Sequence, residues 1–223
     1  KGALGEGLKP ILGADFRVAA LCMNPDGYLN LRELISRGYA ENQHFDKAML
    51  KREWLLESNQ GLILLSGGRD GDVGQRIIKG KVAEAEALVK EYMEVFGDRF
   101  YLEVQRTERP GDEQCLHATV ALAAELGIPV VATNDVRFID RDDFEAHEAR
   151  VCIHDGNTLD DPRRTRKYSE QQYLKTADEM AELFSDLPEA LENTVEIARR
   201  CTLDIRLGEN FLPEFPIPEG LTL

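Results

Sequence analysis

Short apolar runs alternate along this chain with longer segments of helical period, and that alternation limits the possible folds more than any other feature. Leu62–Leu65 is wholly apolar and is stopped by Ser66-Gly67-Gly68, the pattern of a strand buried on both faces. Residues 74–96 follow, with Val82, Ala85, Leu88, Val89, Tyr92 and Val95 at helical spacing and Gly97 where a helix stop belongs. Residues 99–105 alternate as a strand does. Residues 112–126 read as a helix closed by Gly127, and 128–133 as a β-branched strand. Upstream, residues 10–20 read as one strand and 31–40 as a helix after the turn Asn24-Pro25-Asp26-Gly27. Further helices are expected within 141–153 and 176–201. Strands separated by helices of this length imply right-handed crossovers and a parallel sheet. Periodicity does not choose between an open doubly wound sheet and a closed barrel. No GxGxxG or GxxxxGK[ST] follows a strand, which counts against a nucleotide-binding sheet.

The length of 223 residues suits one domain, or one domain with a tail. Cys22, Cys115, Cys152 and Cys201 are scattered, with no CxxC pair, and residues 1–10 lack a secretory pattern. They read as reduced thiols of a cytoplasmic protein. No apolar run approaches the roughly 20 residues that cross a bilayer, so no membrane partner is expected. The net charge of -14 repels phosphate backbones and argues against stand-alone nucleic-acid binding. The basic run Arg163, Arg164, Arg166, Lys167 reads as a solvated loop. The Pro-rich stretch from Leu207 onward reads as an extended exit linker.

Ligands of parallel α/β folds bind at the C-terminal ends of strands. That rule selects Asp15, Gly67, Gly68 and the segment Thr133-Asn134-Asp135-Val136-Arg137. Asp135 is the foremost candidate, either as one carboxylate of a metal site or as a helix cap or partner of Arg137. The histidines argue against a rich metal site. His117 sits in a helical pattern, His44 reads as a loop residue, and His147 and His154 lie two helical turns apart and could share a face. Asp142-Asp143 and Asp160-Asp161 read as solvated loops and caps. No serine or cysteine shows a nucleophile signature.

Six strings carry a resemblance: KPILGADF (9–16), GLILLSGGRDGDVG (61–74), FYLEVQRTERPGDE (100–113), IPVVATNDVRFID (128–140), EAHEARVCIHDGNTLDDPRR (145–164) and GENFLPEFP (208–216). Together they resemble the polymerase and histidinol phosphatase (PHP) domain family, in the form found in the alpha subunit of bacterial DNA polymerase III. The resemblance implies a distorted seven-stranded β/α (TIM-like) barrel over residues 1–206, with 207–223 as a linker toward downstream polymerase domains. The family's opening His-x-His strand does not precede Lys1, so the barrel is expected to lack its first strand. The family also has more residues, including a strand, where Ala20 meets Leu21, so a missing segment or a deletion is expected there. A true deletion would leave an open seam.

Metal-binding members of the family place an acid at the position of Asp15, a cysteine at that of Gly68, and an Asp-x-His pair at Asp135-Val136-Arg137. Here Gly68 and Arg137 stand in place of ligands, leaving Asp15 and Asp135 as a vestige. The resemblance therefore implies a module with no catalytic or cofactor-binding residues and no metal. Its expected role is to brace a DNA-directed DNA polymerase, itself dependent on Mg, and to dock the proofreading exonuclease subunit among other replisome subunits. DNA would be met only through the parent protein. The alternative is a metal-dependent phosphoesterase, a proofreading nuclease or pyrophosphatase using Mn or Zn. A third reading is a free-standing metabolic barrel related to histidinol phosphatases.

Overall fold

The structure is a computed structural model that describes residues 8–44, 47–205 and 208. Chain contacts set residues 11–203 apart as one compact unit. The expected linker, 207–223, lies outside the described residues except for Gly208.

The strands are β1 (Gly13–Asp15), β2 (Ala19–Cys22), β3 (Gln43–His44), β4 (Lys47–Ala48), β5 (Leu62–Leu65), β6 (Phe100–Gln105) and β7 (Val130–Thr133). The helices are α1 (Pro25–Glu41), α2 (Arg52–Glu57), α3 (Asp72–Ile78), α4 (Val82–Phe96), α5 (Asp112–Leu126), α6 (Phe144–Asp155), α7 (Ala177–Leu183) and α8 (Pro188–Arg200). Five strands form one sheet in the order β1-β2-β5-β6-β7, while β3 and β4 pair as a separate small hairpin. β5, β6 and β7 run parallel, as expected of strands joined through helices.

Side chains alternate across a strand, so each central strand feeds two cores. Leu62, Leu64, Phe100, Leu102, Val104, Val130 and Ala132 join the large core beneath α1 to α5. Ile63, Leu65, Tyr101 and Val131 point the other way and meet Ile197 and Cys201 at the end of α8. α8 runs beside the sheet edge, sending Ala190 to the first core and Ile197 to the second. Its Asn193 donates an Nδ2–H to the Val130 carbonyl at 2.8 Å, satisfying an acceptor that an edge strand would leave open.

Several expectations change. Residues 10–20 are not one strand: β1 and β2 form an antiparallel hairpin around Phe16–Val18, and β2 is antiparallel to β5 as well. Three residues are too few for a crossover, so the two strands must pair antiparallel. The sheet is therefore mixed, and among the described residues it ends at β1 and β7 without closing into a barrel. The helix expected over 74–96 is two helices, because Gly80 takes φ +73°, which ends α3 before Val82 starts α4. The expected turn at 24–27 is instead the start of α1: Asn24 Oδ1 accepts from the Gly27 N–H at 3.0 Å, and Pro25 occupies the first turn.

All four cysteines are buried and free of disulfides. No helix among the described residues is long and apolar enough to cross a membrane.

Candidate functional site

The alternation that points Tyr101 and Val131 into the second core also fixes what stands above them. Glu103 and Gln105 of β6 and Thr133 of β7 project from the same sheet face, and Gln105 and Thr133 are direct partners in the parallel register. These C-terminal strand ends line a cleft of about 440 Å³ together with Asp15, Gly67, Asp70, Asp135 and Arg137. Asp15 and Asp135, 120 residues apart in sequence, thus share one cleft, as do Gly67 and Arg137.

Glu103 is held from three sides. The Gly67 N–H donates to its Oε2 at 3.0 Å, Gln105 Nε2 donates to Oε1 at 2.9 Å, and the Thr133 hydroxyl donates to the same oxygen. Burial outweighs these three bonds and raises its pKa above the usual carboxylate range. Asp135 takes φ +45°, a backbone region that Asp tolerates better than most residues. Arg137 Nη2 lies 2.7 Å from its Oδ1, Arg109 Nη2 lies 3.3 Å from Oδ2, and Gln172 Nε2 donates to Oδ2 at 2.7 Å. Burial nevertheless raises the Asp135 pKa, with Arg137 and Arg109 opposing it. Asp15 is likewise raised by burial and lowered by Arg137.

Arg109 extends the network through Nη1 to Asp70 at 2.8 Å. Behind it, buried Asp112 receives Arg69 Nη1 at 2.5 Å, the Thr107 hydroxyl at 2.6 Å and two backbone N–H groups. Arg137 also stacks 5.4 Å from the Tyr168 ring centroid. Tyr168 and the fully buried Gln172 belong to the loop between α6 and α7. That loop is anchored by the Ser169 hydroxyl on the Thr107 carbonyl and by the Arg137 N–H on the Gln172 carbonyl at 2.7 Å.

Gly68 accepts a side chain only if Gln105 moves aside. It has φ +54°, and a Cβ built on it would lie 2.4 Å from the Gln105 amide carbon. The space in which a cysteine would reach into the cleft is filled by Gln105. Across the cleft, a permanent cation sits on Asp135 and offers no lone pair to a metal. Among the described residues, no group of three or more His, Cys, Asp or Glu side chains is placed to hold a metal ion.

The histidines lie away from the cleft. His147 is buried, 5.4 Å from the Phe138 ring and 4.8 Å from that of Tyr168, and burial lowers its pKa. His154, two turns further along α6, is exposed, so the two histidines sit in different surroundings. His117 is exposed on α5, and His44 is part of β3 rather than a loop. The basic run is not simply solvated. Arg164 is largely buried against the Glu148 carboxylate, while Arg163 pairs with Asp161 at 3.1 Å and Lys167 with Asp155 at 3.1 Å. Asp143 caps its turn in a reciprocal box with Asp140. Sequence reasoning missed Glu103, Gln105, Arg109 and Gln172. The alternation of β6 could have revealed the first two, but Arg109 and Gln172 lie in irregular segments that carry no periodic signal.

Residues 1–107 match the family model described as the PHP domain. The chain is 57% identical over 235 aligned positions to DNA polymerase III subunit alpha of Pseudomonas fluorescens, covering 100% of the chain and 20% of the relative. It is 57% identical to that of Pseudomonas aeruginosa, over 99% of the chain and 20% of the relative. For Escherichia coli strain K12 the identity is 54%, over 95% of the chain and 19% of the relative. The chain therefore spans about a fifth of the length of the curated relatives it matches. The alignment of 235 positions exceeds the 223 residues present, so the Pseudomonas fluorescens protein has residues that face gaps here. The chain is thus similar to the PHP domain family over its first 107 residues, and along nearly its whole length to about a fifth of bacterial DNA polymerase III alpha subunits.

Proposed function

We propose that this chain is the PHP module of a cytoplasmic replicative DNA polymerase, and that it braces and docks rather than catalyses. One observation carries the reading: the carboxylate best placed to hold a metal, Asp135, is already engaged by Arg137 and Arg109. The guanidinium groups supply the positive charge, so the cleft is neutralised from within and derives rigidity instead of reactivity. The filled space at Gly68 supports the same reading. The domain itself would need no cofactor, and Mg would serve only the parent polymerase. In the complete protein the sheet would extend beyond its present edges into the seven-stranded barrel that the resemblance implies. The partner proposed for docking is the proofreading exonuclease subunit, with other replisome subunits and the downstream polymerase domains as neighbours. DNA would be met only as part of the parent protein.

The convergence of Asp15, Asp70, Glu103 and Asp135 on one cleft favours a second reading, a metal-dependent phosphoesterase using Mn or Zn. Against it, Asp70 and Asp135 are paired with arginines and Glu103 is held by three donors. The docking role is tested by deleting this segment from the full-length polymerase subunit and measuring exonuclease-subunit affinity and polymerase thermal stability. Both should fall. Unchanged affinity would remove docking from the proposal.

A further inference from the structure

A second cleft, of about 570 Å³, adjoins the carboxylate site and shares Asp15, Phe16 and Arg17 with it. It lies between the β1–β2 turn, the segment 47–52, and the flanks of α3 and α4. Its charge balance reverses that of the molecule. The chain has 27 Lys and Arg against 41 Asp and Glu, whereas this cleft is lined by Arg17, Lys47, Lys51 and Arg52 against Asp15 and Asp72.

These cations are weakly committed. Arg17 reaches Asp72 only at 3.6 Å with its side chain 70% exposed, and Arg52 reaches Glu91 at 3.5 Å. Lys51 Nζ rests 5.1 Å from the Trp54 ring centroid. No carboxylate among the described residues pairs with Lys51 or Lys47. Beneath this rim the walls are apolar: Val18, Leu55 and Tyr92 are buried, and half-buried Phe16 faces both clefts.

A ligand that satisfies this surface needs two parts. Lysine ammonium groups are compact point charges that suit a phosphate. An apolar wall with an aromatic ring suits a flat, weakly polar ring. A bare anion would leave the floor uncovered, and an uncharged ring would leave the lysines unused. We propose that this cleft binds a nucleotide, either free or as the end of a single strand, with its phosphate on Lys47 and Lys51 and its base against Phe16. This inference does not depend on whether the carboxylate site takes a metal.

The test is a calorimetric titration of the chain with thymidine monophosphate, thymidine, inorganic phosphate and a short oligothymidylate, at low and high salt. Saturable binding of the monophosphate is expected, with thymidine and inorganic phosphate each at least about tenfold weaker. High salt should weaken it, and the double substitution Lys47→Gln/Lys51→Gln should cost about tenfold in affinity. The melting temperature should not change, because both side chains are exposed. Tighter binding of the oligothymidylate identifies a strand end as the ligand, and tighter binding of the monophosphate a free nucleotide; both support the site. No saturable binding, equal binding of phosphate and nucleotide, or indifference to salt and to the double substitution would overturn it.

Discussion

At Asp135, opposite effects of burial and charge meet on one carboxylate. Burial pushes its pKa up, and Arg137 and Arg109 pull it down without fully compensating. Removing Arg137 leaves a mostly buried carboxylate with only Arg109 and Gln172. Because the Arg137 side chain is 38% exposed, the loss should fall below that for a fully buried pair. Arg137→Ala is expected to cost about 1–2 kcal/mol at neutral pH. The penalty should shrink in acid, where Asp135 protonates, and unfolding curves at several pH values would check both points. Glu103 offers a separate pH signature. Its folded pKa is raised above the ordinary 4.5, so its stabilising contribution is full below that pH and is lost as pH rises through the higher folded value. The stability advantage of the native chain over Glu103→Gln should therefore be greatest in acid and smaller near neutrality. A difference that grows with pH would refute the assignment. Gly68→Cys should destabilise by about 1–3 kcal/mol, through both its positive φ and the collision with Gln105. Gln105→Ala in the same chain should recover part of that loss.

Elements were legible where one period dominated. The apolar run Leu62–Leu65 and the alternation of 100–105 gave β5 and β6, and glycines at 97 and 127 marked true helix ends. Legibility failed where local signals conflict with sequence-distant pairing. Residues 10–20 contain strand-forming residues on both sides of Phe16–Val18, so only the hairpin pairing reveals the turn. The site divides the same way. Asp15, Asp135 and Arg137 could be read from strand-end positions, but Gln105 filling the space at Gly68 could not, because it depends on two strands meeting. Between elements, Asn193 of α8 bonds to the edge of β7, and Asn193→Ala should lower stability by about 1 kcal/mol. Arg164→Ala would strand buried Glu148, and faster amide exchange across the α6–α7 loop is the expected readout.

Across the whole molecule, parallel strands β5 to β7 carry a carboxylate cleft at their C-terminal ends, and the small core beneath it is sealed by α8. Such strand ends are where α/β proteins place reactive groups. In the proposed function, the guanidinium and amide groups bonded to its carboxylates make this cleft an internal clasp rather than a metal site. Under the same proposal, the net charge of -14 suits contact with other proteins. The most direct test of this account is a titration of the purified chain with Mn²⁺ and Zn²⁺, with Asp135→Ala as the control. The account predicts no stoichiometric binding and the same weak response from both proteins. One ion held per chain and released by Asp135→Ala would contradict it.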